Sequence, residues 1–180
     1  MCAIKVHNQK SLCLAGGHPS MQAFISYAHD DYEEFERFNA CLRPVARALN
    51  FEVWADRRLS PGDYWNERIA SAIGNSDIHV LLMSIGFFNS DYIYDHELPA
   101  IAARCRSGAL TTPVLVERCY WSAFVGVLMA TPMTERGRLL PVKEWRRIDT
   151  GYTTACEQIA SAIKDHFKRS PLTPFDWRRP

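Results

Sequence analysis

The stretch from Ser84 to Leu98, SIGFFNSDYIYDHEL, carries the side chains with the clearest potential for chemistry. It follows an apolar run that predicts a buried strand, and it supplies a carboxylate, Glu97, close to the aromatic rings of Tyr92 and Tyr94. Open α/β sheets place their sites at the carboxyl ends of such strands. A glutamate in the first turns of a helix is also favoured by the helix dipole at an ordinary surface position. Glu97 is therefore a candidate catalytic carboxylate, with an exposed structural glutamate as the alternative.

Other groups of reactive residues do not form known catalytic patterns. Asp95 and His96 are adjacent, so they cannot face each other on a helix as a Ser-His-Asp triad requires. No G-x-G-x-x-G follows the first predicted strand, which argues against a hydride-transferring dinucleotide enzyme. Asp30 and Asp31 come closest to the acidic cluster of a phospho-receiver domain, but no matching lysine closes the fourth strand. The six cysteines contain no C-x-x-C pair, so we expect reduced thiols and no metal site.

Size and composition predict one globular domain. The chain has 180 residues, of which 47% are hydrophobic and 23% charged. A net charge of +1 argues against a nucleic-acid surface, and no apolar run approaches the roughly 20 residues that span a bilayer. We expect a cytoplasmic protein without membrane or nucleic-acid partners. Residues 1–20 are expected to form a poorly ordered leader, 21–170 the domain, and 171–180 a C-terminal tail.

Apolar patterns divide the domain into alternating strands and helices. Strands are predicted at 23–28, 51–55, 77–84, 113–116 and 139–142. Helices are predicted near 30–49, 65–75, 91–106 and 152–167. Pro44 lies inside the first of these helices and predicts a kink or break near Arg43. This alternation predicts an α/β fold, a doubly wound five-stranded parallel sheet with helices on both faces, and the simplest strand order is 2-1-3-4-5.

That strand order brings three separate segments to one crevice. The switch point lies between the first and third strands, where ligands bind in such folds. The carboxyl end of the first strand carries Ser26, Tyr27, Ala28 and His29, the second strand leads to the loop 56–63, and the third leads to Glu97. This convergence favours a functional role for Glu97 over the alternative of a surface glutamate.

Five segments, in order, resemble bacterial Toll/interleukin-1 receptor (TIR) domains: AFISYAHDD, RRLSPGDYW, IHVLLMSIGFFNSDYIYDHEL, PVLVERCYW and LLPVKEW. The resemblance runs from about residue 23 to 167 and implies a flavodoxin-like fold. In the enzymatic branch of the family it implies cleavage of NAD at the nicotinamide–ribose bond. The catalytic glutamate of that branch precedes an apolar residue in the helix after strand three, which is the place of Glu97 and Leu98. The aromatic residue often found four positions earlier is Ile93 here, so Tyr92 and Tyr94 are both candidates for its role.

The implied chemistry fits a single carboxylate. Glycosidases use two because the leaving oxygen must be protonated, whereas nicotinamide leaves as a neutral molecule. One carboxylate that stabilises the developing oxocarbenium charge can therefore suffice. We expect NAD+ as the substrate and no separate cofactor. The residues expected to bind it are Tyr27, Ala28, His29, Arg57, Arg58, Trp65, Tyr92 and Tyr94. The rings supply stacking faces for nicotinamide and adenine, and His29 and the two arginines supply donors for the pyrophosphate. A core position for Trp65 and solvated loop charges for the arginines are the alternatives.

Two functions of different classes follow from the resemblance. The first is an NAD+ glycohydrolase or ADP-ribosyl cyclase-like enzyme, similar to the TIR subunit of bacterial anti-phage systems, whose signalling nucleotide activates a separate effector protein. The second is a non-catalytic TIR interaction module that assembles a signalling complex. In the enzymatic branch the loop after strand two packs on a neighbouring protomer, which implies self-association through residues 56–63.

Overall fold

The computed structural model describes residues 21–54, 63–121, 134–135 and 138–167. The leader and the tail expected at 1–20 and 171–180 lie outside these residues, as does most of the loop 56–63. The domain boundaries therefore remain predictions.

In the part of the chain that the structure describes, four parallel strands form one sheet in the order β2-β1-β3-β4. They are β1 (Met21–Ser26), β2 (Phe51–Trp54), β3 (Ile78–Met83) and β4 (Leu110–Leu115). All residues of β3 are buried, as expected for a central strand covered on both faces. In the register of β1 on β3, Ser26 pairs with Leu81. The predicted α/β fold with a parallel sheet is confirmed.

The fifth strand predicted at 139–142 is not part of this sheet in the described residues. Instead, β5 (Thr134–Glu135) and β6 (Arg138–Leu139) form an antiparallel pair, and Val142–Glu144 form a 3-10 turn. Pro141 has no N–H to donate to a neighbouring strand. The segment lies against the end of β4 through one backbone bond, from the N–H of Lys143 to the carbonyl of Val116 at 2.9 Å.

Helices cover both faces of the sheet. They are α1 (Tyr32–Leu49), α2 (Asp63–Asn75), α3 (Ile85–Asn89), α4 (Leu98–Arg106) and α5 (Ile148–His166). One apolar cluster joins α1 and α5 to the face that carries Ile25, and a second joins α2 and α4 to the face that carries Phe24. The break predicted near Arg43 is wrong, because α1 runs continuously through Pro44, which faces solvent. None of the described helices is long and apolar enough to cross a membrane.

Gly151 allows α5 to pack closely on the turn that precedes it. A Cβ at this position would lie 3.1 Å from Cγ1 of Val142 and 3.2 Å from Cγ of Trp145. The Trp145 indole is buried, and its Nε1–H donates to the carbonyl of Leu140 at 3.1 Å, so the ring cannot easily move away.

Alanine substitutions at Gly151 and Gly74 should therefore have opposite effects on stability. Gly151→Ala should lower the free energy of unfolding by about 1 kcal/mol or more through overpacking. Gly74→Ala should raise it by about 0.5–1 kcal/mol, because a Cβ there meets nothing within 4 Å and alanine is the better helix former. Urea unfolding of both variants measures these changes. Equal stabilisation by both would contradict the close contact at Trp145.

Candidate functional site

Two serine caps shape the segment that follows β3. The Ser84 hydroxyl accepts a hydrogen bond from the Phe87 N–H at 2.9 Å and caps α3. The Ser90 hydroxyl accepts one from the Ile93 N–H at 3.3 Å and caps the next helix. Such side chains satisfy N–H groups that have no partner inside the helix. Phe87 and Phe88 therefore lie on a short helix, and the chain turns between the two caps.

The helix that carries Glu97 contains a π-helical turn at Ile93–Glu97, closed by a bond from the Leu98 N–H to the Ile93 carbonyl. Pro99 follows directly and has no N–H to pair with the carbonyl of Asp95, so regular α-helical pairing is interrupted here. Turns of this kind occur frequently at functional sites. The turn buries Ile93 and Glu97 and leaves the three residues between them exposed.

The Glu97 carboxyl lies against the end of β1. The Ser26 hydroxyl donates a hydrogen bond to Oε2 of Glu97 at 2.5 Å. Both residues are almost fully buried, with 1% of Ser26 and 6% of Glu97 exposed. Because side chains alternate along a strand, Ser26 points to the same face as Phe24, the face that α2 and α4 cover. The contact therefore joins the ends of the two strands that flank the switch point.

Burial changes the acidity of Glu97. Desolvation raises the pKa of this carboxyl to about 7 from its ordinary value of 4.5, and the hydrogen bond from Ser26 opposes part of that rise. The alternative of an exposed first-turn glutamate is wrong, because the side chain is buried and partnered. A buried carboxyl whose pKa lies near neutral pH is a candidate catalytic group.

A second serine–carboxylate contact crosses the same switch point in the opposite direction. The Ser84 hydroxyl, at the end of β3, donates to Oδ2 of Asp31, which follows β1. Burial raises the Asp31 pKa, and the bond from Ser84 opposes that rise. Gly86 permits the close approach, because a Cβ there would lie 3.2 Å from Cβ of Ala28 and 3.4 Å from Oδ2 of Asp31. The ends of β1 and β3 are thus tied twice.

Charged side chains also fix the start of α3. The Ile85 N–H donates to Oε1 of Glu117 at 2.9 Å, and Lys143 Nζ donates to Oε2 of the same carboxylate at 2.9 Å. Lys143 lies 3.5 Å from Glu34, whose Oε2 accepts a hydrogen bond from the Tyr152 hydroxyl at 2.6 Å. These contacts connect α1, α5 and the end of β4 to the segment that carries the candidate site.

Of the two candidate tyrosines, Tyr92 is electrostatically coupled to Glu97. Burial raises the Tyr92 pKa, and the charge of Glu97 adds to the rise. Its ring lies 5.0 Å from that of His96. Tyr94 is 57% exposed, and Ile93, at the position where the family often has an aromatic residue, is buried in the core.

The other predicted binding residues are distributed unevenly. The Tyr27 ring stacks on Phe35 at 4.3 Å on the face that α1 covers, so one side of it is already occupied. Ala28 is buried against Gly86, and His29 is exposed where the turn after β1 begins. Arg57, Arg58 and the side chain of Trp65 lie outside the described residues. Their binding roles remain predictions.

Sequence reasoning missed the partners of the site carboxyls. Ser26, Asp31 and Ser84 were not among the predicted site residues, although all are buried and bonded across the switch point. A polar residue that ends an otherwise apolar buried strand was the available signal, because such a group needs a partner. The identity of that partner is not encoded locally.

The geometry defines what Glu97 can do chemically. Above a pH of about 7 it is a carboxylate held in a poorly solvated place, where its field on a developing positive charge is stronger than in water. A pKa near the operating pH also suits a group that accepts a proton late in a reaction. The electrostatic role requires a substrate that forms a cationic transition state, and the second role requires a group that releases a proton.

Comparison with known proteins identifies the family to which the chain belongs. The family model described as TIR domain matches residues 23–143, a range that begins within β1 and ends within the turn after β6. The chain therefore belongs to the TIR domain family, and the predicted membership is confirmed.

Two curated relatives align with this chain over less than half of their own length. The chain is 32% identical over 144 residues to the uncharacterized protein y4lF of Sinorhizobium fredii, covering 79% of this chain and 42% of that protein. It is 32% identical over 94 residues to the 2′ cyclic ADP-D-ribose synthase AbTIR of Acinetobacter baumannii, covering 50% of this chain and 32% of AbTIR. The chain thus spans less than half the length of either curated relative.

A solved structure, that of the Clostridium botulinum CMP N-glycosidase BcmB, matches with a TM-score of 0.44 and 17% identity. The match covers 64% of this chain and 89% of that one.

The raised pKa of Glu97 predicts a specific dependence of stability on pH. The folded state holds the Glu97 proton more tightly than the unfolded chain, so this stabilisation is complete below pH 4.5 and is lost as pH rises through about 7. The loss is of the order of 3 kcal/mol. Glu97→Gln stays neutral throughout, so the variant should gain stability relative to wild type between pH 5 and 8.5 in urea unfolding.

The exposed Glu67 on α2 provides the matched control, and Glu67→Gln should follow the wild-type curve. Parallel curves for wild type and Glu97→Gln would show that the Glu97 pKa is not raised.

Proposed function

We propose that this TIR protein is an NAD-consuming enzyme that cleaves the nicotinamide–ribose bond, releasing nicotinamide and an ADP-ribose-type product or signalling nucleotide. The observation that carries the proposal is the buried Glu97 carboxyl, fixed by Ser26 at the switch point of the sheet, where α/β folds bind nucleotides. Burial of an ionised carboxyl lowers stability at neutral pH, and a purely structural glutamate could avoid this cost at an exposed position.

The proposed reaction begins with loss of nicotinamide as a neutral leaving group. The bond between the ribose carbon and the pyridinium nitrogen breaks, and its electron pair goes to the nitrogen. The ribosyl group gains positive charge, which the Glu97 carboxylate stabilises. Attack by water then gives ADP-ribose and a proton, and attack by a hydroxyl of the same molecule gives a cyclic product. Glu97, with a pKa of about 7, can accept that proton.

The comparison with AbTIR supports the substrate class. That protein is named for the synthesis of 2′ cyclic ADP-D-ribose, and 50% of this chain aligns with it at 32% identity. A cyclic ADP-ribose must be made from an ADP-ribosyl donor with a good leaving group, and NAD is such a donor. The similarity covers a third of AbTIR, so the activity itself is the proposal.

Within this proposal Tyr92 takes the stacking role beside the scissile bond. It lies one residue before the family position, is half-buried, and is coupled to the Glu97 charge. Tyr94 is mostly exposed and can contact adenine or a neighbouring subunit. His29, Arg57 and Arg58 are proposed to meet the pyrophosphate, with Trp65 and Tyr27 as further rings. NAD+ is the substrate, and no other cofactor is proposed.

The proposed setting is bacterial anti-phage defence in the cytoplasm, where the product acts on a separate effector protein. The alternative, a non-catalytic interaction module, predicts no turnover under any condition.

The decisive variant is Glu97→Gln, which keeps the side-chain shape and removes the negative charge. NAD cleavage should fall by roughly two to three orders of magnitude or more, the loss typical of one preorganised electrostatic group. Binding of NAD or a non-cleavable analogue should persist, because the amide can still accept the Ser26 hydrogen bond. Mass spectrometry of NAD incubated with activated protein measures cleavage, and calorimetry measures binding.

Glu67→Gln is again the matched control and should retain wild-type turnover. Equal rates in wild type and both variants would remove Glu97 from the mechanism. Absence of cleavage by activated wild type would favour the interaction module.

The proposed self-association predicts how activity depends on protein concentration. If residues 56–63 complete the crevice of a neighbouring protomer, turnover per subunit should rise with concentration or require a trigger. The sequence Pro61-Gly62 is typical of a turn, so replacing Gly62 by a bulky residue should suppress assembly and turnover together. Light scattering and rate measurements on the same samples test this, and constant turnover per subunit from a demonstrated monomer would contradict it.

A further inference from the structure

The buried hydroxyl of Ser26 has a geometry that goes beyond packing. Ser26 ends β1, and its Oγ lies 2.5 Å from Oε2 of Glu97. A separation of this length is typical of a hydroxyl that donates to an ionised carboxylate. Among the described residues, no hydrogen bond to the other carboxyl oxygen, Oε1, is present. Within the described residues, Ser26 therefore holds one oxygen of Glu97 and leaves the other without a hydrogen bond.

We propose that Ser26 is a positioning residue for NAD cleavage: its hydroxyl holds Oε2 of Glu97 so that Oε1 faces the ribose of the substrate. This inference rests on the proposed function. Ser26 does not touch the reacting atoms in this arrangement and acts through Glu97 alone.

The hydroxyl also acts on the ionisation of Glu97. A donor on a carboxylate stabilises the charged form, so Ser26 counteracts the burial that favours the neutral form. Without the hydroxyl, a larger fraction of Glu97 is protonated at neutral pH, and the carboxylate loses its fixed orientation. Both effects reduce the rate of a reaction that needs an oriented negative charge.

Other ionisable groups around this turn do not replace Ser26. The π-helical turn packs against α2, α3 and α4. Besides Glu97, these elements and the turn with its flanking residue Tyr92 carry nine titratable side chains that the structure describes. They are Glu67, Arg68, Tyr92, Tyr94, Asp95, His96, Arg104, Cys105 and Arg106. The two on α2 are exposed, α3 carries none, and the three on α4 lie at its far end. Tyr92 is coupled to Glu97, but its own pKa is raised further from neutrality.

Ser26→Ala removes the hydroxyl and should shift the pH profile. NAD turnover at pH 7 should fall roughly three- to tenfold and largely recover by pH 9, because alkaline pH restores the carboxylate. The carboxyl 13C signal of Glu97 is assigned by its absence in Glu97→Gln. In the free Ser26→Ala protein, the midpoint of its titration should lie at higher pH than in wild type, by the same amount as the midpoint of the pH profile of turnover. Ser26→Thr keeps a hydroxyl and should return both midpoints towards wild type.

Ser76→Ala is the matched control, since it also removes a buried serine hydroxyl. The Ser76 hydroxyl donates to the carbonyl of Ala72 at 2.7 Å, at the opposite end of the sheet. This variant should lose stability yet keep the wild-type pH profile and Glu97 titration.

The two measurements separate failure of this inference from failure of the proposed function. An unchanged Glu97 titration in Ser26→Ala, or turnover equal to that of wild type at every pH, would overturn the role of Ser26. Absence of NAD cleavage by activated wild type at any pH would overturn the proposed function, and with it any role of Ser26 in cleavage, whatever the titration shows.

Discussion

The burial of one carboxyl group at the end of a parallel sheet is the constraint on which the site depends. Removing a carboxylate from water is costly unless hydrogen bonds compensate. Here the compensation comes from Ser26 on the neighbouring strand, and it is partial, since the Glu97 pKa still rises to about 7. The protein therefore holds this group at the boundary between its neutral and charged forms. The buried negative charge that Glu97 carries at alkaline pH lowers the stability of the fold, and the same charge is what the proposed chemistry needs.

The surrounding elements hold Glu97 in this buried position. Pro99 and the π-helical turn direct Glu97 inward, and the Ser84–Asp31 contact ties the same two strands a second time. On the opposite face Lys143 joins two carboxylates and, through Glu117, the start of α3. Each contact joins a segment after one strand to a segment after another. Rigid surroundings of this kind are what a preorganised electrostatic site requires.

Much of this architecture is legible in the sequence, because strands buried on both faces carry continuous apolar runs and helices carry apolar residues three and four apart. The sites of failure are informative. The Leu139–Val142 run has the composition of a strand, but Pro141 lacks an N–H and the segment turns away. Two other prolines show that context decides the outcome. Pro44 faces solvent in an unbroken helix, while Pro99 adjoins a widened turn.

The position of Glu97 was predictable, and its environment was not. Position follows from strand order, since any residue shortly after the central strand must lie near the switch point. Its environment depends on a hydrogen bond between residues 71 apart in sequence, and the Asp31–Ser84 bond spans 53. No local periodicity encodes pairs so distant. The local sequence around a glutamate in a helix therefore does not show whether its side chain is exposed or buried.

The pairing of Ser26 with Leu81 has a consequence for how the protein can fail. A slip of β1 by a single residue would exchange the two faces of the strand and carry the hydroxyl to the side of Ile25, away from Glu97. A crossover helix, unlike a tight hairpin, does not dictate alignment between parallel strands. The apolar side chains on either side of Ser26 fix this alignment instead. Misaligned molecules would lack the contact between Ser26 and Glu97 without any change in sequence, so the fidelity of folding, as much as the choice of side chains, sets the fraction of molecules in which this contact forms.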